Sequence, residues 1–316
     1  MINQANKVQG IINNIENVIV GKRKTIELCL TAILAKGHIL LEDVPGVGKT
    51  MLVRTIAKTI DADYKRIQFT PDLLPSDITG VSIYHPEARQ FIFQPGPIMS
   101  SIILADEINR TTPKTQSALL EAMEERHVTV DGITHHLKEP FCVIATQNPI
   151  EYEGTFTLPE AQLDRFLLKL SLGYPTKEEE IAILDKFQFS SPIDELQAII
   201  SDSDVIKMQE EVKRVHIDQA IKSYIVQISI ETRKHIQVNL GVSPRASLAL
   251  MRACQSYAYI QGRNYVIPDD VKYLLPFVFE HRIHLKREYA LEDNAVRQVL
   301  KEIIGKVEVP VFKGSL

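Results

Sequence analysis

The chain has little cysteine, no marked excess of either charge and no long apolar run, and each shortage closes off a class of protein. Its 316 residues include 3 cysteines. Cys29, Cys142 and Cys254 are far apart, and each lies inside an apolar run (LCLTAIL, FCVIAT, MRACQ). That placement predicts buried thiols and argues against a disulfide framework. The start, MINQANKVQGIINNIENVIV, shows no basic segment followed by an apolar one, so no export signal is read there. The longest apolar runs fall far short of a membrane span, so no membrane insertion is expected. The compartment indicated is the reducing cytoplasm. A net charge of -4 gives no global sign of a nucleic-acid binder. Repeats and low-complexity tracts are missing too. What is present is average: 45% hydrophobic and 24% charged residues, enough to bury a real core. The length suits one large domain or two ordinary ones.

The first half alternates strand-like and helix-like segments. HILLE (38–42) is a short apolar run before a glycine-rich turn, and TMLVRTIAKTI (50–60) follows on a helical period. YKRIQF (64–69), SSIILADE (100–107), PFCVIATQN (140–148) and RFLLKLSL (165–172) read as strands. KTQSALLEAMEER (114–126) reads as a helix opened by Thr111, Thr112 and Pro113. Strands alternating with helices predict a mainly parallel, three-layer α/β sheet. Residues 81–95 and 126–138 read as two hairpins inserted on that scaffold, the second around Asp131-Gly132. After Gly173-Tyr174-Pro175-Thr176 the segments all read as amphipathic helices. A boundary is therefore expected near 175, giving an α/β domain over 1–175 and an all-α domain over 176–316.

The chemistry begins at LLEDVPGVGKT (40–50). A tight strand-to-helix turn points backbone N–H groups at one spot, and the helix dipole adds to the field. Gly46 and Gly48 let the backbone approach phosphate oxygens. Lys49 suits the β- and γ-phosphates and the Thr50 hydroxyl suits Mg²⁺. The nucleotide-binding run assigned is Pro45, Gly46, Val47, Gly48, Lys49, Thr50 and Met51. The usual first glycine of such a loop is replaced by Asp43. Its carboxylate is expected to turn away from the phosphates and bond backbone or a basic side chain.

IILADE would carry Asp106 and Glu107 to the carboxyl edge of a buried strand, where parallel sheets bind ligands. There Asp106 suits the Mg²⁺ shell, and Glu107 suits polarising an attacking water. A pair of acids capping the next helix is the plainer alternative. Asn148, ending the next strand, should emerge beside Glu107. Arg165, in PEAQLDRF, could reach a neighbouring subunit's nucleotide or pair locally with Asp164 or Glu160. Arg245, in GVSPRASL, could meet a phosphate or sit in solvent. His135-His136 and His281/His284 lack the partners of a transition-metal site.

These signals, in this order, resemble the AAA+ ATPases. LADEINRTTPKTQSALLEAMEERHVTVDG, ATQNPIEYEGTFTLPEAQLDRF, LLEDVPGVGKT and GVSPRASLAL are similar to the stretches that distinguish the MoxR family within them. The resemblance spans nearly the whole chain. It implies a P-loop AAA+ core with a helical lid, and catalytic roles for Lys49, Glu107, Asn148 as sensor one and Arg165 as arginine finger. It implies Mg²⁺ at Thr50 and Asp106, nucleotide contacts from Val20 and Gly21 near the adenine, and Arg245 as sensor two. The cofactors implied are ATP and Mg²⁺. Relatives form hexameric rings and remodel, assemble or activate protein complexes, often with a partner carrying a von Willebrand A domain.

The expectation is a ring-forming ATPase acting on a protein client. A nucleotide-dependent binding switch with little turnover is the alternative. A DNA-acting motor is a weaker one, because the hairpins offer only Arg89 and, at an edge, Arg126 and Lys138.

Overall fold

The computed structural model describes residues 2–87, 89–148, 155–289 and 294–310. Its centre is a parallel five-stranded sheet built from Ile39–Glu42 (β1), Tyr64–Gln68 (β2), Ile102–Asp106 (β5), Cys142–Gln147 (β8) and Leu168–Leu170 (β9), in the order β2-β5-β8-β1-β9. Gly80–His85 (β3) with Gln90–Pro95 (β4), and His127–Val130 (β6) with Ile133–His136 (β7), form the two antiparallel hairpins.

Period-two alternation sends successive side chains of the central strands to opposite faces. Ile39 and Leu41, Ile102 and Leu104, and Cys142 and Ile144 share one apolar core. Helices Ile2–Glu16 (α1), Arg23–Leu34 (α2) and Lys49–Thr59 (α3) pack into that same core. Leu40, Ile103, Ala105, Val143 and Ala145 face the other way. They pack there on Leu119, Leu120 and Met123 of Pro113–Glu125 (α5); the short Pro75–Thr79 (α4) precedes the first hairpin. The expected three layers are present.

The second half is helical: Glu160–Leu163 (α6), then Lys177–Phe187 (α7), Pro192–Glu195 (α8), Asp202–Val212 (α9), Gln219–Lys234 (α10), Pro244–Ile260 (α11), Pro268–Phe279 (α12) and Ala295–Lys306 (α13). Val238–Leu240 (β10) and His284–Leu285 (β11) add one antiparallel pair. Among the described residues no helix is long and apolar enough to cross a membrane. The cysteines are free and buried.

Sequence reading gave no elements for 2–34, where α1 and α2 stand. Most of α2 is buried, from Ile26 through Leu34, so it carries no polar stripe to mark a period. It packs against α9 and α11, and Gln209 donates to the Ile33 carbonyl at 2.8 Å. The sheet and the later helices therefore share one core. The last strand is also shorter than read. The Arg165 and Phe166 amides close a turn on Gln162 and Leu163, and Ser171 and Leu172 are drawn onto a side chain described below.

Two histidines are built in neutral. The His38 ring accepts from the Val143 amide at Nδ1 and donates from Nε2 to the Met123 carbonyl at 3.1 Å. Burial pushes it down to about 3. His281, donating to the Phe166 carbonyl, is also held well below the ordinary value by burial and by Arg282. The unfolded chain takes up these protons near pH 6.5 and the folded one does not. Stability is therefore full above that pH and falls as pH drops below it. Between pH 8 and pH 5 urea denaturation should show a loss of up to about 2 kcal/mol per histidine. His38→Gln, which takes no proton, should lose less than the parent; an equal loss would contradict the assignment.

Candidate functional site

At the carboxyl edge of β1 the chain turns through Gly46 at φ +85° and Gly48 at φ +93°, the left-handed region that only glycine enters freely. Gly48 caps α3 directly, so the helix dipole points into the loop. Lys49 is folded back, its Nζ donating to the carbonyls of Asp43 (2.7 Å) and Val44 (3.3 Å). Burial pushes this ammonium down, while Asp43, Asp106 and Glu107 pull it up. Thr50 is exposed; Val47 and Met51 lean on the core.

The odd acid of the loop has a structural task. Asp43 is buried, and its Oδ1 accepts from the Ser171 hydroxyl (2.8 Å) and the Gly173 amide (3.2 Å). Oδ2 accepts from the Leu172 amide at 2.5 Å. The carboxylate thus fastens the exit of β9 to the exit of β1. Residues 173–179 then run on to Gly21, whose φ is +72° and where an added Cβ would meet the Glu179 carboxyl at 2.0 Å. Lys22 donates to the Tyr174 carbonyl at 3.0 Å. Val20 and Gly21 are thereby linked to the loop through one continuous chain of contacts.

Asp106 and Glu107 leave β5 beside the loop. Thr146, buried on β8, organises both: its hydroxyl donates to Asp106 Oδ1 (2.6 Å) and accepts from the Glu107 amide (2.8 Å). Glu107 sits at φ +59°, a left-handed conformation unusual for a side chain of its size. On β2, Arg66 holds Asp106 Oδ2 at 2.6 Å, and Gln68 donates to Glu107 Oε2 at 2.7 Å. Arg110 lies 3.3 Å from the same oxygen. Asn148 follows β8 and is buried on the same edge. Sequence reasoning missed Thr146, Arg66 and Gln68. Their signal was period two: Arg66 and Gln68 share a strand face, as do Thr146 and Asn148.

Arg165 and Arg245 are not at this edge. Arg165 precedes β9, and β1 and β9 run parallel with Ile39 opposite Leu168. The loop follows β1 and Arg165 precedes β9, so the length of a strand, about 13 Å for β1, lies between them. Arg165 Nε pairs with Glu124 Oε2 at 2.8 Å, and Arg245 pairs with Glu124 Oε1 at 3.0 Å. The local partners weighed for Arg165 are otherwise engaged: Asp164 holds Arg282, and Glu160 holds His284.

A sequence profile for the ATPase family associated with various cellular activities matches residues 38–168, and an AAA lid domain profile matches 230–303. The chain is 40% identical to the chaperone MoxR1 of Mycobacterium tuberculosis, over 97% of this chain and 83% of that one. It belongs to the MoxR family of AAA+ ATPases. The uncharacterized protein YeaC of Bacillus subtilis is 58% identical, covering 96% of this chain and 95% of its own. A crystal structure of a candidate ATPase from Cytophaga hutchinsonii superposes with a TM-score of 0.92 at 40% identity, covering 98% of this chain and 97% of that one. Membership of an ATPase family implies nucleotide binding.

Of the weaker candidates, His135 stacks on Phe93 of the other hairpin at 3.9 Å. Among the described residues no group of histidine, cysteine and acidic side chains could hold a metal unaided. Arg126 is spent on the Phe141 and Lys36 carbonyls, and Lys138 pairs with Asp63, which leaves Arg89 of the hairpin cations.

Asp43→Ala would orphan the buried Leu172 amide. A loss of about 1–3 kcal/mol is expected in urea denaturation, with weaker nucleotide binding as a consequence. Full stability with lost nucleotide binding would instead put the carboxylate at the phosphates.

Proposed function

We propose that this chain hydrolyses ATP within a ring, probed most naturally as a hexamer, and spends the energy on remodelling a protein client. The observation that carries the reading is the split of the charged residues between the two edges of one parallel sheet. Lys49, Asp106, Glu107 and Asn148 occupy the carboxyl edge, while Arg165 and Arg245 occupy the opposite one. A site so divided is complete only when a second copy brings its arginine edge to the first copy's loop. In this reading Arg245, like Arg165, serves the neighbour.

Oxygen donors at Thr50 and Asp106, with no self-sufficient metal cluster among the described residues, suit Mg²⁺ carried in with the nucleotide phosphates. When bound, that ion would neutralise charge on the β- and γ-phosphates. Lys49 leaves the Asp43 and Val44 carbonyls for the phosphates. Asn148 orients the water. Glu107, freed from Gln68, takes the water's proton as its oxygen bonds to the γ-phosphorus. The bond to the bridging oxygen then breaks, yielding ADP and phosphate. Arg165 and Arg245 of the neighbour meet the charge that develops.

The division into a nucleotide domain over 1–175 and a lid over 176–316 belongs to this reading, as does a cytoplasmic setting. The joined hairpins are the natural client contact. Phe91 is 71% exposed and Ile133 62% exposed, which suits apolar segments of a protein better than a phosphate backbone. A von Willebrand A-domain protein is the partner class proposed from the family.

Arg165→Ala and Glu107→Gln should each lower ATP turnover on the order of 10³-fold, with ATP affinity within a few-fold of the parent by calorimetry. Normal turnover by purified Arg165→Ala would end the ring mechanism. Capture of a client by Glu107→Gln in the presence of ATP, but not of ADP, would support remodelling; equal capture in both would favour a nucleotide-independent contact.

A further inference from the structure

A cleft of about 350 Å³ opens at the arginine edge, between the start of β1, the end of α5 and the face of α11. Several of its cations are already spent. Arg282 is held by Asp164, Arg126 by backbone carbonyls, and Lys36 lies near Glu139 and Glu210. Of the three carboxylates that line it, Glu139 answers Lys36 and Asp164 answers Arg282, which leaves Arg165, Arg245 and Arg252 set against Glu124. Arg252 lies seven residues beyond Arg245, on the same face of α11. It is exposed and makes no ion pair among the described residues.

The arithmetic of charge is uneven. One carboxylate spans two guanidinium groups and the third goes unanswered, so the cleft is short of negative charge. Guanidinium forks match phosphate oxygens as well as carboxylate oxygens. Glu124 stands where such a group would have to bind, because it fills the fork of Arg165 and the reach of Arg245 together. An incoming phosphate and the Glu124 carboxylate cannot share those donors without like-charge repulsion. The Glu124 side chain is about one-third exposed at the last turn of α5, so its carboxylate is not locked in by packing.

We propose that Glu124 is an internal anion that keeps the place of the neighbouring copy's phosphate, and that Arg252 is a third arginine contacting that phosphate once Glu124 withdraws. The proposal rests on the trans-acting reading of Arg165 above. Glu124 is a positioning residue: it parks both arginines, prevents their mutual repulsion in the free protomer, and sets how much neighbour must be present to engage them.

The test separates the proposal from the reading it rests on. An acceptor copy, Arg165→Ala, keeps its loop and acids. A donor copy, Glu107→Gln, binds ATP but is silent, and keeps its arginines. Mixing them should restore hydrolysis at the acceptor's site; no restoration with any donor would overturn the trans reading itself. Given restoration, a donor that also carries Glu124→Gln should reach half-maximal rescue at about threefold to tenfold lower concentration, since two partly exposed ion pairs no longer compete. Glu124→Asp should restore the parent value. A donor with Arg252→Gln should need several-fold more protein. Restored hydrolysis with an unchanged or higher half-saturating concentration for Glu124→Gln would overturn the place-keeping role, as a merely structural residue lowers the plateau and not the half-saturating amount. Arg252→Gln behaving as the parent would remove Arg252 from the contact.

Discussion

A parallel sheet has two unlike edges, and the organisation of this protein follows from that constraint. All strands of the sheet leave in one direction, so every loop after a strand gathers at one edge and every residue before a strand gathers at the other. The glycine loop over 45–51 and the two acids come after strands β1 and β5. The arginine of PEAQLDRF comes before β9, and α5, returning between β5 and β8, delivers Glu124 to that same far edge. No rotation of a side chain spans a strand. Chemistry that needs both edges therefore needs two copies.

Around this constraint the protein spends several buried polar side chains on geometry. Asp43 satisfies backbone donors at the end of β9 and so fixes the frame of the loop. Thr146 sets the left-handed turn at Glu107 and orients Asp106 with one hydroxyl. His38, held neutral between α5 and β8, couples the end of α5 to the sheet and thus carries Glu124 into place. Each of these groups is fully bonded in a desolvated setting, where leaving one partner unmet would be costly.

Much of this was legible in the sequence where local pattern and chemistry agree. The strand-loop-helix over 39–59 and the buried strand ending in Asp106 rested on alternation, glycine placement and helical period, and they are present as read. Asp43 was expected to bond backbone, as it does at the Leu172 and Gly173 amides. The α2 helix was not legible, because a helix buried on most sides by tertiary packing has no polar face; α1 does carry a stripe, Val8, Ile11, Ile12 and Ile15 buried with Gln9 and Asn13 exposed, and its signal was passed over. Arg66, Gln68 and Thr146 were missed because their meaning comes from pairing between strands distant in sequence, such as Gln68 beside Asp106. Whether Arg245 meets a phosphate or sits in solvent was open in the sequence. The ion pair it shares with Arg165 on Glu124 is a long-range contact that no spacing rule encodes.

The central claim is that one copy's arginine edge completes the next copy's loop edge. The most direct measurement is the structure of the Glu107→Gln protein assembled with ATP and Mg²⁺. The expected result is Arg165 and Arg245 of one copy within hydrogen-bond distance of the γ-phosphate seated at Lys49 of the next. Arginines still clasping Glu124 in the assembled protein, with the γ-phosphate met only by its own chain, would contradict it.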